Sequence, residues 1–104
     1  MMETYITLLK FTQSGVESIQ KSAARLHEIK EIFKANKAVV KDFYLTLGEY
    51  DAIVVSQAPD AETIAKLALI IGSQGKIRTV TLRSFPEDEF RRIISALVPK
   101  KVNI

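Results

Sequence analysis

The chain has 104 residues, of which 47% are hydrophobic and 26% charged, so it fits one globular domain and is too apolar for a disordered protein. It contains no cysteine, which excludes disulfides, thiolate metal ligands and a cysteine nucleophile. Its formal net charge of +3 is a mild excess of basic residues, and these residues form no dense stripe, so we expect no nucleic-acid partner.

The chain begins without the features of a targeting signal, because residues 1–4 carry no basic group and no long apolar run follows them. The longest apolar run, residues 67–71, is far shorter than the roughly 20 residues that a membrane-spanning helix needs. We therefore expect a cytoplasmic protein with no membrane partner. We also expect a single domain over residues 1–104, with a loose tail at residues 99–104.

Residues 3–11 predict a strand, because they are rich in β-branched and aromatic side chains. Apolar side chains fall on both alternating faces of this strand: Ile6 and Leu8 on one, and Tyr5, Leu9 and Phe11 on the other. A strand that is apolar on both faces indicates a sheet with two faces to bury.

A helix is predicted next, with Ser14 and Glu17 forming a capping box at its start. Its apolar positions recur every three or four residues and predict one buried stripe: Val16, Ile19, Ala23, Leu26, Ile29 and Phe33. Residues 38–47 and 50–57 then predict a hairpin, because two β-rich runs flank a short break at Gly48.

A second helix is predicted over residues 61–71, with Asp60 as its N-cap. Apolar residues surround much of its circumference, so we expect it to be well buried, either under the domain or in an interface. Residues 76–85 predict a strand with Val80 and Leu82 on one face and Thr79, Thr81 and Arg83 on the other. Pro86 opens a last helix with a predicted buried stripe that Pro99 ends: Phe90, Ile93, Ile94 and Leu97.

The element order β-α-β-β-α-β plus a terminal helix predicts a ferredoxin-like α+β fold with an antiparallel sheet of order 4-1-3-2. Its helices cover one face of the sheet, so the other face needs water or a partner. We expect that face to carry Tyr5, Leu9, Phe11, Ile53 and Val55, mixed with Thr7, Thr79 and Thr81. Because such a face is too apolar to leave in water, we expect a homodimer or a larger assembly.

Three segments carry a resemblance to a known family: Tyr5-Ile6-x-Leu8, Phe43-Tyr44-Leu45-Thr46-Leu47-Gly48-x-Tyr50-Asp51, and Ser73-Gln74-Gly75-x-x-Arg78-Thr79-x-Thr81-Leu82-Arg83-x-Phe85-x-Glu87-x-Glu89-Phe90. With these motifs the chain resembles the GYD domain family, which is named for a Gly-Tyr-Asp motif. Here Glu49 stands between Gly48 and Tyr50. The resemblance implies a ferredoxin-like fold of the dimeric α+β barrel group, and it implies no particular function.

The strongest candidate site is a cluster of Tyr5, Asp51 and Arg83. If the first and third strands run parallel, these residues lie at one end of the sheet on its non-helical face. An acid, a base and a phenol in a partly apolar cavity could bind an anion or a small polar ligand, or move a proton. The alternative, which we favour, is a structural ion pair that fixes strand register or crosses the dimer interface.

A second candidate is the turn formed by Ser73, Gln74, Gly75, Arg78 and Thr79, which could hold a carboxylate or phosphate. A glycine C-cap with polar neighbours is the favoured interpretation, because the end of a helix repels anions. His27 is the single histidine, and we interpret it as a surface residue because a metal site needs three or four ligands. We therefore expect no metal and no cofactor.

The leading functional hypothesis is a homo-oligomeric domain that binds a small molecule, with Tyr5, Tyr44, Tyr50, Asp51, Arg78 and Arg83 as candidate ligand-binding residues. One alternative is a cofactor-independent oxygenase or isomerase that uses Tyr44, Tyr50, Asp51 or Arg83. Another is a purely structural oligomer. Whether the chain is an enzyme stays open, and no catalytic residue is assigned.

Overall fold

The computed structural model describes residues 2–97. It contains four strands and four α-helices, with a 3₁₀ turn at Ile19–Lys21 between the first two helices. The strands are β1 (Glu3–Phe11), β2 (Val39–Leu45), β3 (Ala52–Ala58) and β4 (Ile77–Ser84). The helices are α1 (Gln13–Glu17), α2 (Ser22–Ala35), α3 (Ala61–Ser73) and α4 (Glu87–Leu97). This order confirms the ferredoxin-like α+β prediction with its additional helix.

The four strands form one antiparallel sheet in the order β2-β3-β1-β4, which confirms the predicted 4-1-3-2 order. The expectation that β1 and β3 run parallel was wrong. They pair antiparallel, with Glu3 opposite Ala58 and Leu9 opposite Ala52. The reason is topological: β2 and β3 form an antiparallel hairpin, and the crossover through α2 makes β1 parallel to β2. At the edge, the β2–β3 register shifts between Val40 and Asp42.

Strand register decides which side chains meet the helices. Val55 lies opposite Ile6 and Ile53 lies opposite Leu8, so these four share one face. The face without α2 and α3, called here the open face, is lined by six apolar side chains: Ile6, Leu8, Ile53, Val55, Val80 and Leu82. The expectation that Tyr5, Leu9 and Phe11 lie on this face was wrong, as it was for Thr7, Thr79 and Thr81. All six lie on the helix side.

The core lies between that other face and the helices α2 and α3. Its buried residues come from both layers: Tyr5, Phe33, Ala38, Ala58, Ile64, Leu67 and Ile71. Asp60 caps α3 as predicted, because its Oδ1 accepts from the Thr63 backbone N–H at 2.8 Å. The domain itself does not bury α3 on all sides, since Leu69 is 75% exposed.

The first helical segment is broken where one helix was predicted. Thr12, and not the predicted Ser14–Glu17 box, caps α1 by accepting from the Gly15 N–H at 3.0 Å. The Thr12 N–H donates to the Lys76 carbonyl oxygen at 3.0 Å, which ties α1 to the start of β4. A Cβ on Gly15 would lie 2.1 Å from that same oxygen, so this docking requires glycine.

Helix α4 differs most from expectation. Its apolar stripe was predicted to be buried, yet Phe90, Ile93, Ile94 and Leu97 are all exposed. No other described helix or strand packs closely along it, and the residue it buries is Glu89. The predicted stop at Pro99 and the tail at 99–104 lie outside the described residues. None of the helices within residues 2–97 is long and apolar enough to cross a bilayer.

Candidate functional site

A charged cluster lies where the start of β1 meets the end of β4. Tyr5 and Arg83 are register partners, and the Arg83 guanidinium lies 5.7 Å from the Tyr5 ring centre. The Tyr5 hydroxyl donates to Glu3 Oε1 at 2.5 Å, and the same oxygen lies 3.7 Å from Arg83 Nε. Arg83 Nη2 reaches Glu89 Oε1 at 3.5 Å, so one guanidinium joins two carboxylates from different elements. The Arg83 guanidinium also stacks 4.3 Å from the ring centre of Phe85.

Burial is the main reason why the pKa of Tyr5 is raised to about 12, with the Glu3 hydrogen bond and its negative charge adding to the effect. A phenol with that pKa stays protonated at neutral pH and donates its hydrogen bond permanently. The cluster is therefore suited to holding α4 and the strand ends in place. The protonated Tyr5 phenol itself is not a proton acceptor of the kind that general base catalysis needs.

The structure does not bring Asp51 into this cluster. Asp51 lies at the opposite end of the sheet, where its Oδ2 accepts from the Phe11 backbone N–H at 2.8 Å. The predicted grouping of Tyr5, Asp51 and Arg83 was wrong because it depended on a parallel β1–β3 pair. Tyr5 also lies in the core, so the three residues do not share the open face.

The remaining candidate residues are scattered. Tyr44 is 58% exposed on β2, opposite Ile53. Tyr50 is half-buried, with the Lys10 ammonium 5.6 Å from its ring centre. Arg78 is exposed, and its register partner on β1 is Lys10. Each of them lies apart from the Tyr5–Arg83 cluster.

The turn after α3 has the form of the favoured interpretation, a helix that ends at a glycine, and not that of an anion cup. Gln74 caps the helix and Gly75 has φ +74°, a left-handed conformation that favours glycine. The Gly75 carbonyl accepts from the Thr12 hydroxyl at 2.7 Å. Arg78 and Thr79 lie on opposite faces of β4, so they cannot hold one ligand together. His27 is exposed on α2.

A cleft with a volume of about 80 Å³ lies between the sheet and the two long helices. Its floor is the helix face of the sheet, and α2 and α3 form its walls. Most of the lining is apolar, including Leu9, Phe11, Leu26, Phe33, Leu67 and Ile71. Thr7, Thr79 and Thr81 add hydroxyl groups to the floor, and Thr7 Oγ1 lies 3.4 Å from Thr81 Oγ1.

Two cations line this cleft, and sequence reasoning missed both. Arg25 donates to the Ser18 carbonyl from Nη2 at 3.0 Å, and Lys76 Nζ donates to Ser14 Oγ at 2.7 Å. A signal for Arg25 did exist, because it lies four residues before Ile29 and therefore at the edge of the predicted apolar stripe. Lys76 carried no such signal, since its position depends on how α1 docks against β4.

Within residues 2–97 no three acidic or histidine side chains come together in a way that could hold a metal ion. The buried hydroxyl of Ser56, on the helix face of β3, has no hydrogen-bond partner among the described residues.

Comparison with known proteins connects this fold to others. A family model for the GYD domain matches residues 5–94. A protein of Thermus thermophilus, named glutamine synthetase and cystathionine beta-lyase binding protein, is 35% identical over 86 residues, which cover 82% of this chain and 90% of the relative. The 30S ribosomal protein S6 of Thermotoga maritima has a similar structure, with a TM-score of 0.66 and 13% identity, over 91% of this chain and 99% of that protein. The second similarity concerns the fold alone.

Proposed function

The chain belongs to the GYD domain family, and we propose that it is a cytoplasmic, self-associating binding module built from one domain. In this proposal two copies pair through their open faces, giving a dimeric α+β barrel. Helix α4 then presents its apolar stripe to a protein partner, and the sheet–helix cleft holds a small molecule. The observation that carries the proposal is the uncovered apolar surface on two sides of the same chain.

The open face supports self-association because its apolar side chains form one contiguous patch over three strands. Leu82 and Val80 on β4 are each 46% exposed, and their register partners on β1 are Ile6 and Leu8. Contiguous apolar surface of this kind on a folded protein marks an interaction site.

The charges at the two edges of the open face favour a second copy of this chain as its partner. Asp42 on the edge strand β2 lies opposite Val55, and Arg78 on the other edge strand β4 lies opposite Lys10, so acid and base lie at opposite edges of the face. A two-fold axis through an isologous interface can bring the acidic edge of one copy against the basic edge of its partner. The apolar centre of one patch then buries the apolar centre of the other.

The experiment is sedimentation equilibrium of the wild-type chain and two matched leucine variants. Leu82→Glu places a charge in the open face and should yield a monomer, because an unpaired carboxylate in an apolar interface is costly. Leu69→Glu places the same charge on the exposed side of α3 and should leave the assembly intact. A monomeric wild type, or dissociation by both variants equally, would overturn the proposal.

The protein-binding part of the proposal rests on the relative named for binding glutamine synthetase and cystathionine beta-lyase. In this chain the exposed stripe on α4 offers the matching kind of surface, an apolar helix face that inserts into a groove. We expect each purified enzyme, immobilised in turn, to capture the wild-type chain. Ile94→Glu should weaken capture at least about tenfold, while Leu69→Glu should not. Failure of both enzymes to capture the wild type would contradict this part.

Small-molecule binding is the second candidate function, and the cleft between the sheet and the helices favours it. The alternative of an oxygenase or isomerase gains no support from the candidate residues, because Tyr44, Tyr50, Asp51 and Arg83 do not line that cleft. A purely structural oligomer predicts that no small molecule binds there.

A further inference from the structure

We propose that the sheet–helix cleft binds a small organic anion with a short apolar body, and that Arg25 and Lys76 receive its carboxylate. The inference rests on the small-molecule part of the proposed function and names the chemistry of the ligand. It depends on three features of the cleft: its apolar walls, the position of the two cations, and the lack of a lining carboxylate in the described part of the chain.

The position of the cations follows from the topology. Arg25 lies in the first turn of α2, and Lys76 immediately precedes β4. Phe11 at the end of β1 and Ile77 at the start of β4 are register partners, so Lys76 lies at this end of the sheet. Arg25 reaches the same region, because it bonds to Ser18, four residues after the Ser14 that Lys76 contacts. One end of the cleft is therefore positive, and its interior is apolar.

Neither cation is neutralised by the residues that the structure describes. The ion pairs over residues 2–97 involve Arg83 and Arg91, not Arg25 or Lys76. Both side chains are half-buried and bond instead to Ser14 and Ser18, which are neutral. A half-buried cation gains most from an anion brought in from outside, because the local dielectric is lower there than in bulk water.

The volume of the cleft limits the size of the ligand's apolar body. A cavity of about 150 Å³ lined by aliphatic and aromatic side chains accepts benzene. The cleft here measures about 80 Å³, so a chain of about three to five carbon atoms fits within it. A carboxylate attached to such a body reaches the positive end while the hydrocarbon contacts Leu67 and Phe33. Short-chain carboxylates are the chemical class with these properties.

Isothermal titration calorimetry with hexanoate tests the proposal, and hexanamide serves as its uncharged counterpart. We expect hexanoate to bind the wild-type chain at least about tenfold more tightly than hexanamide, because a charge-assisted hydrogen bond contributes that much. Arg25→Gln and Lys76→Gln should each weaken hexanoate binding at least about tenfold and leave hexanamide binding unchanged. Lys66→Gln removes one positive charge from the exposed side of α3, away from the cleft lining, and should change neither.

Equal affinity for hexanoate and hexanamide, or no measurable binding of either, would overturn the proposal. So would unchanged hexanoate binding by both Arg25→Gln and Lys76→Gln, once circular dichroism shows that each variant is folded. The variant Leu82→Glu distinguishes a failure of ligand binding from a failure of self-association. Its charge lies on the other side of the sheet, so that variant should keep hexanoate binding even as a monomer.

Discussion

At the residue scale, the cluster around Arg83 links three separate parts of the chain. The guanidinium contacts Glu3 at the start of β1 and Glu89 in α4, and it also lies near the Tyr5 ring. Glu89 is one of three acids after Pro86, a pattern that the helix dipole alone would favour. Its burial against Arg83 depends on the angle at which α4 leaves β4, and no local pattern encodes that angle.

Tyr5 provides a prediction about pH. The folded protein keeps the Tyr5 proton to about pH 12, whereas the unfolded chain releases it near pH 10.0. The free energy of unfolding should therefore fall as pH rises through this window, because the unfolded state binds fewer protons there. An absorbance titration of tyrosinate should show a step near pH 12 that Tyr5→Phe removes and Tyr44→Phe retains. Persistence of the step in Tyr5→Phe would contradict the assignment.

Ser56 provides a prediction about stability. Its fully buried hydroxyl has no partner within the described residues, so the hydroxyl loses its hydrogen bonds to water on folding and gains none. Ser56→Ala should raise the free energy of unfolding by about 1 kcal/mol in urea denaturation. Ser73→Ala is the control, since that exposed hydroxyl donates to the Ile70 carbonyl at 2.7 Å and its loss should not stabilise the protein. A destabilised Ser56→Ala variant would show that the hydroxyl has a partner in solution.

At the element scale, hydrophobic periodicity predicted every strand and most helices, because it reports directly on which side chains must leave water. It assigned the wrong face to Tyr5 and Leu9, since a strand that is apolar on both sides does not reveal which side meets the helices. That choice follows from register with β3, which is a long-range property. The same limit applies to α4, whose stripe was correct in position and wrong in burial.

At the junction of α1 with β4, a glycine-to-alanine substitution should affect stability in the opposite direction from the same substitution within α3. Gly15→Ala should cost about 2–3 kcal/mol of stability, because its Cβ would clash with the Lys76 backbone carbonyl, which cannot rotate away. Gly72→Ala in α3 has open space around its Cβ and should gain about 0.5–1 kcal/mol. Thermal unfolding monitored by circular dichroism measures both. Equal effects of the two substitutions would contradict the docking of α1.

At the scale of the whole molecule, the sequence predicted the fold far better than the site. Element order and length determine a ferredoxin-like topology, because few arrangements bury all these amphipathic segments. The cleft depends instead on residues brought together from β1, α2, α3 and the turn before β4, such as Arg25 and Lys76. These residues are distant in sequence and carry no shared motif, so their meeting becomes visible only in three dimensions.

Self-association predicts a concentration-dependent unfolding temperature. Because assembly stabilises only the folded state, the midpoint of thermal unfolding should rise by about 3 °C for each tenfold increase in protein concentration. Leu82→Glu should remove this dependence, and Leu69→Glu should preserve it. Differential scanning calorimetry over a hundredfold range of protein concentration, about 5–500 μM, measures this dependence. A midpoint that stays constant in the wild type would contradict assembly through the open face.

The register shift in β2 also affects the tendency of the folded domain to form fibres. An edge strand offers unpaired backbone groups that can template another strand and so start fibre growth. Here the ladder is interrupted between Val40 and Asp42, and the residue between them is the exposed Lys41. An interrupted, charged edge is a poor template for amyloid, whereas the flat face beside it can still be buried by packing. The interrupted edge of β2 therefore disfavours strand-to-strand polymerisation of the folded domain.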